Sequence, residues 1–372
     1  MGLWDAWLGI YPSLLVFDHR RSQSWIVATG FDAEAVVHPS LKVEQTEFWR
    51  SRLPRARQAQ AGRLGEEATA TTSAGRCQPS SLASGGSDGD DAGAQVTSNL
   101  TAAEYQSRVK RALDYIYRGD IYQVNLSHRL TAPWPARAWD LYEALGHASP
   151  APFSAWLDCG DLAIASASPE LFLHLDDRSI RTRPIKGTRP RRADPAADRG
   201  LARELRHSAK ENAELLMITD LLRNDLGRVC EYGSVQVPDL VRLECFPQVH
   251  HLVSTITGRL RAEISHVTAL ARCFPGGSIT GTPKIRAMEI IDELEPVTRG
   301  PYTGSLGYLG FNGRSQWNIL IRTAIYQRHR AWFQVGAGIV ADSDPAAEYQ
   351  ETLDKARGFL EALNCLLPNA PG

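Results

Sequence analysis

A chain of 372 residues with a formal net charge of −1, 43% hydrophobic and 22% charged residues has the composition of an ordinary globular protein, with a length that suits about two domains. The balanced charge gives no support for a nucleic-acid partner or a polybasic membrane contact, and no apolar run approaches the ~18 residues of a membrane span. Six scattered cysteines (Cys77, Cys159, Cys230, Cys245, Cys273 and Cys365) without a Cys-x-x-Cys pair argue against a zinc site or a disulfide framework. The N-terminal segment, broken by Asp5, Pro12 and Asp18, does not read as a secretory signal, so a reducing, cytoplasmic setting is expected.

Residues 13–18 and 24–28 read as two strands joined by a polar turn, a pair too small to stand without later partners. Residues 1–54 are therefore expected to form a partial N-terminal subregion that packs on a main domain. Between Ala56 and Gln95 the large aliphatic residues are Leu64 and Leu82 alone and aromatics are absent. Residues 55–98 are expected to be a disordered linker or insert, because such a composition buries too little apolar surface to offset the entropy of ordering.

The main domain is expected over 99–372. Thr101 with Glu104 has the signature of a capping box, Tyr105, Val109, Ala112, Leu113 and Ile116 recur at helical spacing, and Gly119 supplies the stop. A strand over 121–130 and a helix over about 138–146 follow. Runs at 162–167, 171–175 and 179–183 read as successive strands. A long helix is expected over about 198–226, open to a break near Ser208, with a second half apolar on most faces as in a core helix. Strands over 235–243 and 252–260 and a helix over 267–273 lead to the turn Pro275-Gly276-Gly277, then to a helix over 283–293. Strands over 305–311, 317–326 and 332–340 precede a closing helix over 345–366. Helices and strands mix without a strict βαβ rhythm, so the fold class is α+β, with large, mainly antiparallel sheets flanked by helices.

Several constellations could carry chemistry. Arg183-Pro184-Ile185-Lys186-Gly187-Thr188-Arg189-Pro190-Arg191 places a lysine between an isoleucine and a glycine, with prolines on either side and arginines nearby. The prolines argue against a helix or the middle of a strand, and Gly187 allows close approach. The residues alone leave two readings: a basic surface turn, or an amine set up as nucleophile or base among cations that bind an anion. Glu211 with Glu214, and Glu348 with Glu351, are i, i+3 pairs, each on one helix face. Two such faces meeting would offer oxygens to a hard cation such as Mg²⁺. Exposed glutamate pairs are also common, and Glu351 has Lys355 at i+4. Residues 276–284 resemble a phosphate loop but not a Walker A, since Pro283 precedes Lys284; what remains is a glycine-rich turn opening a helix whose first N–H groups suit an anion. Gly336 and Gly338 interrupt a strand pattern and point to close approach by a ligand. His250 and His251 precede a strand, and the residues do not separate structural from catalytic roles.

Ser168-Pro169-Glu170, the Pro184–Arg191 run, Asp220-Leu221-Leu222-Arg223-Asn224-Asp225-Leu226-Gly227-Arg228, His251-Leu252-Val253-Ser254 and Gly281-Thr282-Pro283-Lys284 occur in this order. Arg299-Gly300-Pro301-Tyr302, Ile321-Arg322-Thr323-Ala324 and Gly336-Ala337-Gly338-Ile339-Val340-Ala341-Asp342-Ser343 follow. Together they resemble the motifs of the chorismate-utilising enzymes over Thr101 to Leu366, and the chain is most similar to the aminodeoxychorismate synthase branch that serves para-aminobenzoate and folate synthesis. In that branch a lysine stands where Lys186 does, whereas anthranilate synthases carry alanine. Relatives that add water place a lysine base where this chain has Gln123, and a neutral amide is no base for water.

The resemblance implies that 99–372 is a chorismate-binding catalytic domain that aminates chorismate with ammonia from a separate glutamine amidotransferase subunit. Lys186 would attack C2 of chorismate as an uncharged amine, aided by Arg183, Arg189 and Mg²⁺, with the C4 hydroxyl leaving; ammonia then adds at C4 and the lysine is displaced. Glu170 would be the general acid. Glu214 and Glu351 would bind Mg²⁺ directly, with Glu211 and Glu348 acting partly through water. Tyr302, Arg322, Gly336 and Gly338, with Gly281 and Lys355, would hold the substrate, and Thr188 and His251 would complete the pocket. Thr282 stands where alanine is usual, a change expected to be tolerated. The family carries additional strands ahead of Gly9-Ile10-Tyr11, where tryptophan-binding elements would draw; eight residues precede that segment here, so a naturally short or a misplaced start is expected. The alternatives are an anthranilate synthase large component, or a truncated relative that binds a partner without turnover, against which retention of Lys186, Glu170 and the four glutamates argues.

Overall fold

The computed structural model describes residues 6–19, 21–34, 36–53, 96–246 and 248–366. The chain divides into two compact units, Gly2–Gly86 and Ser87–Gly372, with Met1 grouped in the second. In the first unit β1 (Ser13–Asp18) and β2 (Gln23–Ala28) pair antiparallel as their composition predicts, but as a two-stranded sheet that no later strand joins among the described residues. Helix α1 (Pro39–Arg50) was not anticipated: Pro39 sits in its first turn, where a missing N–H is harmless, but no side chain caps it and no residue in it is buried. Trp49 Nε1 donates to Ser13 Oγ at 3.1 Å, tying helix to strand.

Residues 54–95, most of the expected linker, lie outside the described residues. Its last residues depart from expectation, because Thr97–Ser98 form β3 against the long strand that follows. Then come α2 (Ala102–Tyr117), β4 (Gln123–Pro133), α3 (Ala138–Ala148), β5 (Phe153–Asp158), β6 (Ala163–Ser168), β7 (Leu171–Asp176), β8 (Ser179–Arg183) and β9 (Ile185–Pro190). The chain continues with α4 (Pro195–His207), α5 (Ala209–Gly227), β10 (Gln236–Cys245), β11 (Val249–Arg259), α6 (His266–Cys273), a 3₁₀ turn (Gly277–Ile279) and β12 (Gly281–Thr282). It ends with α7 (Lys284–Leu294), β13 (Gly307–Leu309), β14 (Arg314–Asn318), β15 (Thr323–Gln327), β16 (Arg330–Ile339) and α8 (Pro345–Leu366).

These strands build two seven-stranded sheets. One runs β12-β4-β16-β15-β6-β5 with β3 on β4; the other runs β10-β11-β8-β7-β14-β13 with β9 on β11. Every pairing is antiparallel. The expected α+β class is the one that forms.

The two-residue side-chain period of a strand separates the faces of the first sheet. Val124, Leu126, Leu130 and Ala132 of β4, with Ala331, Phe333, Val335, Ala337 and Ile339 of β16, pack under α2, α3, α7 and α8. Phe333 stacks on Phe359 of α8 with ring centroids 4.6 Å apart. The alternate residues, Gln123, Asn125, Ser127, Gln334, Gly336 and Gly338, share the opposite face. The second sheet has its own core, in which Phe172, Leu173, Leu175, Ile180 and Ile256 meet Ile218, Leu222 and Leu226 of α5.

The helix expected over 198–226 does break near Ser208, which ends α4 and caps α5, its hydroxyl accepting from the Glu211 N–H. Three departures from the sequence reading have physical causes. The Lys186 stretch, read as non-strand, forms β9; Pro184 and Pro190 lie just before and at the end of it, and Gly187, at φ +70°, takes up a register shift opposite His251 and Leu252. The strand expected over 317–326 is β14 and β15, in different sheets, with Arg322 in the left-handed region at φ +48° between them. His250 and His251 lie inside β11 rather than before it.

Candidate active site

Lys186 projects from β9 to the polar face of the first sheet. Its Nζ donates to Glu214 Oε2 at 3.1 Å, and a Cβ built on Gly338 would lie 3.1 Å from that Nζ and 2.9 Å from Gln123 Nε2. Gly338 is thus glycine because a side chain would displace the amine. Gly336 does the same for Tyr302, whose hydroxyl would be 3.0 Å from an added Cβ. Tyr302 is buried and its phenol is pushed up to about 12, mainly by burial. Both amide atoms of Gln123, Asn125 Nδ2 and Thr282 Oγ1 are buried without a hydrogen-bond partner among the described residues. Thr282 lies opposite Gln123 in the ladder. So many unpaired polar atoms on one face mark a surface built to meet a polar ligand.

The glutamates of the two pairs lie near enough to influence one another's charge, with lysines among them. Lys210 of α5 reaches Glu348 Oε1 (3.4 Å) and lies 4.0 Å from Glu214 Oε1, and Lys355 stands 2.7 Å from Glu351 Oε1. Burial, then the neighbouring Glu214 and Glu351 charges, raise the Glu211 carboxyl. Burial and Glu351 raise Glu348, against a 2.6 Å hydrogen bond from Ser343. Burial would also raise Glu351, but Lys355, Lys186 and Lys210 hold it low. No group of three or more His, Cys, Asp or Glu among the described residues is disposed to hold a metal ion; lysines stand between the carboxylates. The donors nonetheless fit a hard cation by their chemistry: they are carboxylates, they repel one another, and Glu348 Oε2 is buried with no partner among the described residues.

Glu170 follows β6. It is 5% exposed, Ser278 Oγ donates to its Oε1 at 2.6 Å, and burial holds its carboxyl up at about 7 against the pull of Ser278, Lys186 and Lys355. A carboxyl half protonated at neutral pH is suited to give a proton to a leaving group. His251 Nδ1 lies 3.0 Å from Thr188 Oγ1 and 3.3 Å from the Gly187 carbonyl. Burial pushes this imidazole down to about 4, so it is neutral, and donation to Gly187 leaves Nε2 as the acceptor. The Arg322 guanidinium, partly buried, has no hydrogen-bond or ion-pair partner among the described residues, which leaves it available to an anion.

Other expectations fail for identifiable reasons. Arg183 is paired with Glu244, and Arg189 with Glu204 and Glu211, so both cations are satisfied by their own carboxylates rather than free beside Lys186. Lys284, already set apart from a Walker A lysine by Pro283, donates its Nζ to the buried Asp225 at 2.7 Å and to the Cys273 carbonyl. The glycine-rich turn is glycine for packing, since a Cβ on Gly277 would strike Leu221 at 2.5 Å and one on Gly281 would strike the Gln123 carbonyl at 2.2 Å. Gly281 therefore shapes the pocket without offering space to a ligand. Lys355 donates to the Gly336 carbonyl at 2.9 Å as well as pairing with Glu351, so it braces the glycine strand.

Sequence reasoning missed the bracing network. Glu295 accepts from the Ser127 N–H and hydroxyl and from Arg299, which also donates to the Asn125 carbonyl at 2.6 Å. Lys210, four residues before Glu214, and Glu295, four before Arg299, carried a signal in their i, i+4 spacing; Ser278 carried none.

The site lies between the sheets, and its residues cluster where the chain passes from one to the other. Glu170 lies between β6 and β7, Ser278 between β11 and β12, Tyr302 between β12 and β13, and Arg322 between β14 and β15. A two-sheet α+β enzyme fold of this class is shared with anthranilate synthase component I from Streptococcus pneumoniae TIGR4, to which the chain is 32% identical with a TM-score of 0.75 over 93% of this chain and 72% of that one. Residues 2–361 match the chorismate binding enzyme family, and the chain belongs to it. It is 52% identical over 266 residues to aminodeoxychorismate synthase component 1 of Salmonella typhimurium, covering 72% of this chain and 59% of that protein. Against anthranilate synthase component 1 of Thermus thermophilus it is 42% identical over 364 residues, 98% of this chain and 72% of that protein. The chain spans about three fifths of the length of the aminodeoxychorismate synthases it matches. Among the described residues no helix is long and apolar enough to cross a membrane.

Proposed function

We propose that the chain is the large component of an aminodeoxychorismate synthase, converting chorismate and ammonia to 4-amino-4-deoxychorismate, with a glutamine amidotransferase subunit as the ammonia source. The observation that carries this reading is Lys186 itself, an amine against Gly338 and Gln123 and paired with Glu214. On this reading Arg322 and Tyr302 would receive the substrate's carboxylates, Glu170 would protonate the departing C4 hydroxyl, and Lys186 would attack C2 as a free amine once it has given up its proton. Glu214 and Glu351, with Glu211 and Glu348, would hold Mg²⁺, which when bound would supply electrostatic stabilisation of charge on the substrate. Gln123 offers no base for water, which favours ammonia as the nucleophile.

Product analysis tests the reading: the protein is incubated with chorismate, Mg²⁺ and ammonium, with and without an aminodeoxychorismate lyase. Formation of para-aminobenzoate only when the lyase is present supports it. Fluorescent anthranilate without lyase would instead establish the second reading, an anthranilate synthase component, which the near-complete match to the Thermus protein favours.

A further inference from the structure

Outside this site the tip of the β10–β11 hairpin carries a second constellation. Cys245 and His250 are directly opposite in the ladder. Cys245 Sγ lies 3.1 Å from His250 Nδ1, and His250 Nε2 lies 3.0 Å from Asp198 Oδ1. The histidine side chain is only 3% exposed, whereas Cys245 is exposed to solvent. Asp198 is fixed in turn: Arg191 Nε donates to both its oxygens (2.9 and 3.0 Å) and the Arg192 N–H donates to Oδ1. The Arg191 bond, followed by the Arg192 amide and His250, holds the carboxyl far below the ordinary range, so it is an anion that only accepts. His250 must then carry its proton on Nε2, which leaves Nδ1 as a lone-pair acceptor facing the thiol. The Arg191 guanidinium that fixes Asp198 also donates to the carbonyl of Phe246, the residue after Cys245.

We propose that Cys245 is a base-activated nucleophilic thiol, a site of exchange with low-molecular-weight disulfides. The arrangement is a nucleophile, a base within hydrogen-bond reach and a third group that orients the base. In the step, the thiol proton passes to His250 Nδ1, and Sγ attacks one sulfur of the incoming disulfide. The S–S bond breaks, the second sulfur leaves as a thiolate, and Cys245 is oxidised to a mixed disulfide as that sulfur is reduced. Asp198 stabilises the imidazolium formed and Arg191 the thiolate. The next residue of the strand, His251, points the opposite way, to Thr188 and Gly187, so the exchange site is separate from the Lys186 pocket and backs onto it through one strand.

The test uses the native full chain and the aromatic disulfide 5,5′-dithiobis(2-nitrobenzoate) at pH 6, where an unassisted thiol is ~0.3% ionised. The expected result is a fast phase that peptide mass analysis maps to Cys245, roughly tenfold faster than glutathione under the same conditions. It should vanish in Cys245→Ser and fall to the glutathione rate in His250→Gln. The buried thiols Cys230 and Cys273 report on folding, because a variant that merely unfolds makes them reactive as well. Reaction of Cys245 at the glutathione rate or slower in the wild-type chain overturns the proposal, as does a fast phase that survives either substitution.

Discussion

Lys186 Nζ and Glu214 Oε2 stand 3.1 Å apart with side chains 16% and 10% exposed, so the amine proposed as nucleophile is held in an ion pair by a carboxylate proposed to hold a metal. The pair uses Oε2, while Oε1 lies 4.0 Å from Lys210, and on the proposed mechanism the amine would have to give up this pair and its proton before it could attack. Lys186→Ala is expected to slow ammonium-dependent chorismate consumption on the order of 10²-fold while leaving some direct amination. Lys210 remains 4.0 Å from the other Glu214 oxygen, so the stability loss should stay within about 1–3 kcal/mol by denaturant titration. A wild-type rate in this variant would remove the nucleophile assignment.

Glu170 predicts a pH dependence. As a general acid it works protonated, so kcat should fall as pH rises through about 7. Stability follows the same sign: a carboxyl raised by burial from its ordinary 4.5 contributes stability that is fully present below 4.5 and is lost as pH rises through 7. The loss is on the order of 3 kcal/mol. Glu170→Gln keeps an acceptor for Ser278 and should flatten both profiles while lowering the rate; a profile with its alkaline limb unchanged would place the titrating acid elsewhere.

The paired glycines separate fold from function. An alanine at Gly338 meets the mobile ends of Gln123 and Lys186, whereas one at Gly336 meets the Leu126 carbonyl at 2.6 Å. Gly338→Ala should unfold at nearly the wild-type denaturant midpoint and show a raised KM. Gly336→Ala should lose about 1–3 kcal/mol. Equal stability losses in the two would contradict the geometry.

The helix pair at Asp225 and Lys284 offers a test of structure alone. Lys284→Met leaves Asp225, 2% exposed, without its 2.7 Å partner and is expected to cost about 3–5 kcal/mol. The double variant with Asp225→Asn should recover much of that loss. If the single variant is as stable as the wild type, the pair is not holding α5 to α7.

Local patterns were legible where one residue's periodicity decided the outcome. The Thr101–Glu104 capping box forms as its spacing predicts, and the two glutamate pairs sit on the helix faces that i, i+3 spacing gives. Lys186 was found from its glycine and proline neighbours, though the same prolines hid the fact that it lies on a strand. What was not legible depended on distant partners. Nothing in Arg183 and Arg189 announces that Glu244, Glu204 and Glu211 consume their charge, and nothing in a continuous β-prone run from Trp317 to Tyr326 announces that it divides between two sheets at Arg322. Nothing beside Lys284 announces that its partner is Asp225, far away in sequence and close only in space.

That division at Arg322, and the three other passages between the sheets, bear on how the protein comes into being. Each sheet with its helices can gather around its own apolar core, but Glu170, Ser278, Tyr302 and Arg322 take their places only when both sheets have been threaded and brought face to face. These contacts join residues far apart in the chain, and such contacts form slowly. During refolding from denaturant, helix and strand signals should therefore return ahead of ligand affinity, with a lag in which the polypeptide is compact and has no pocket.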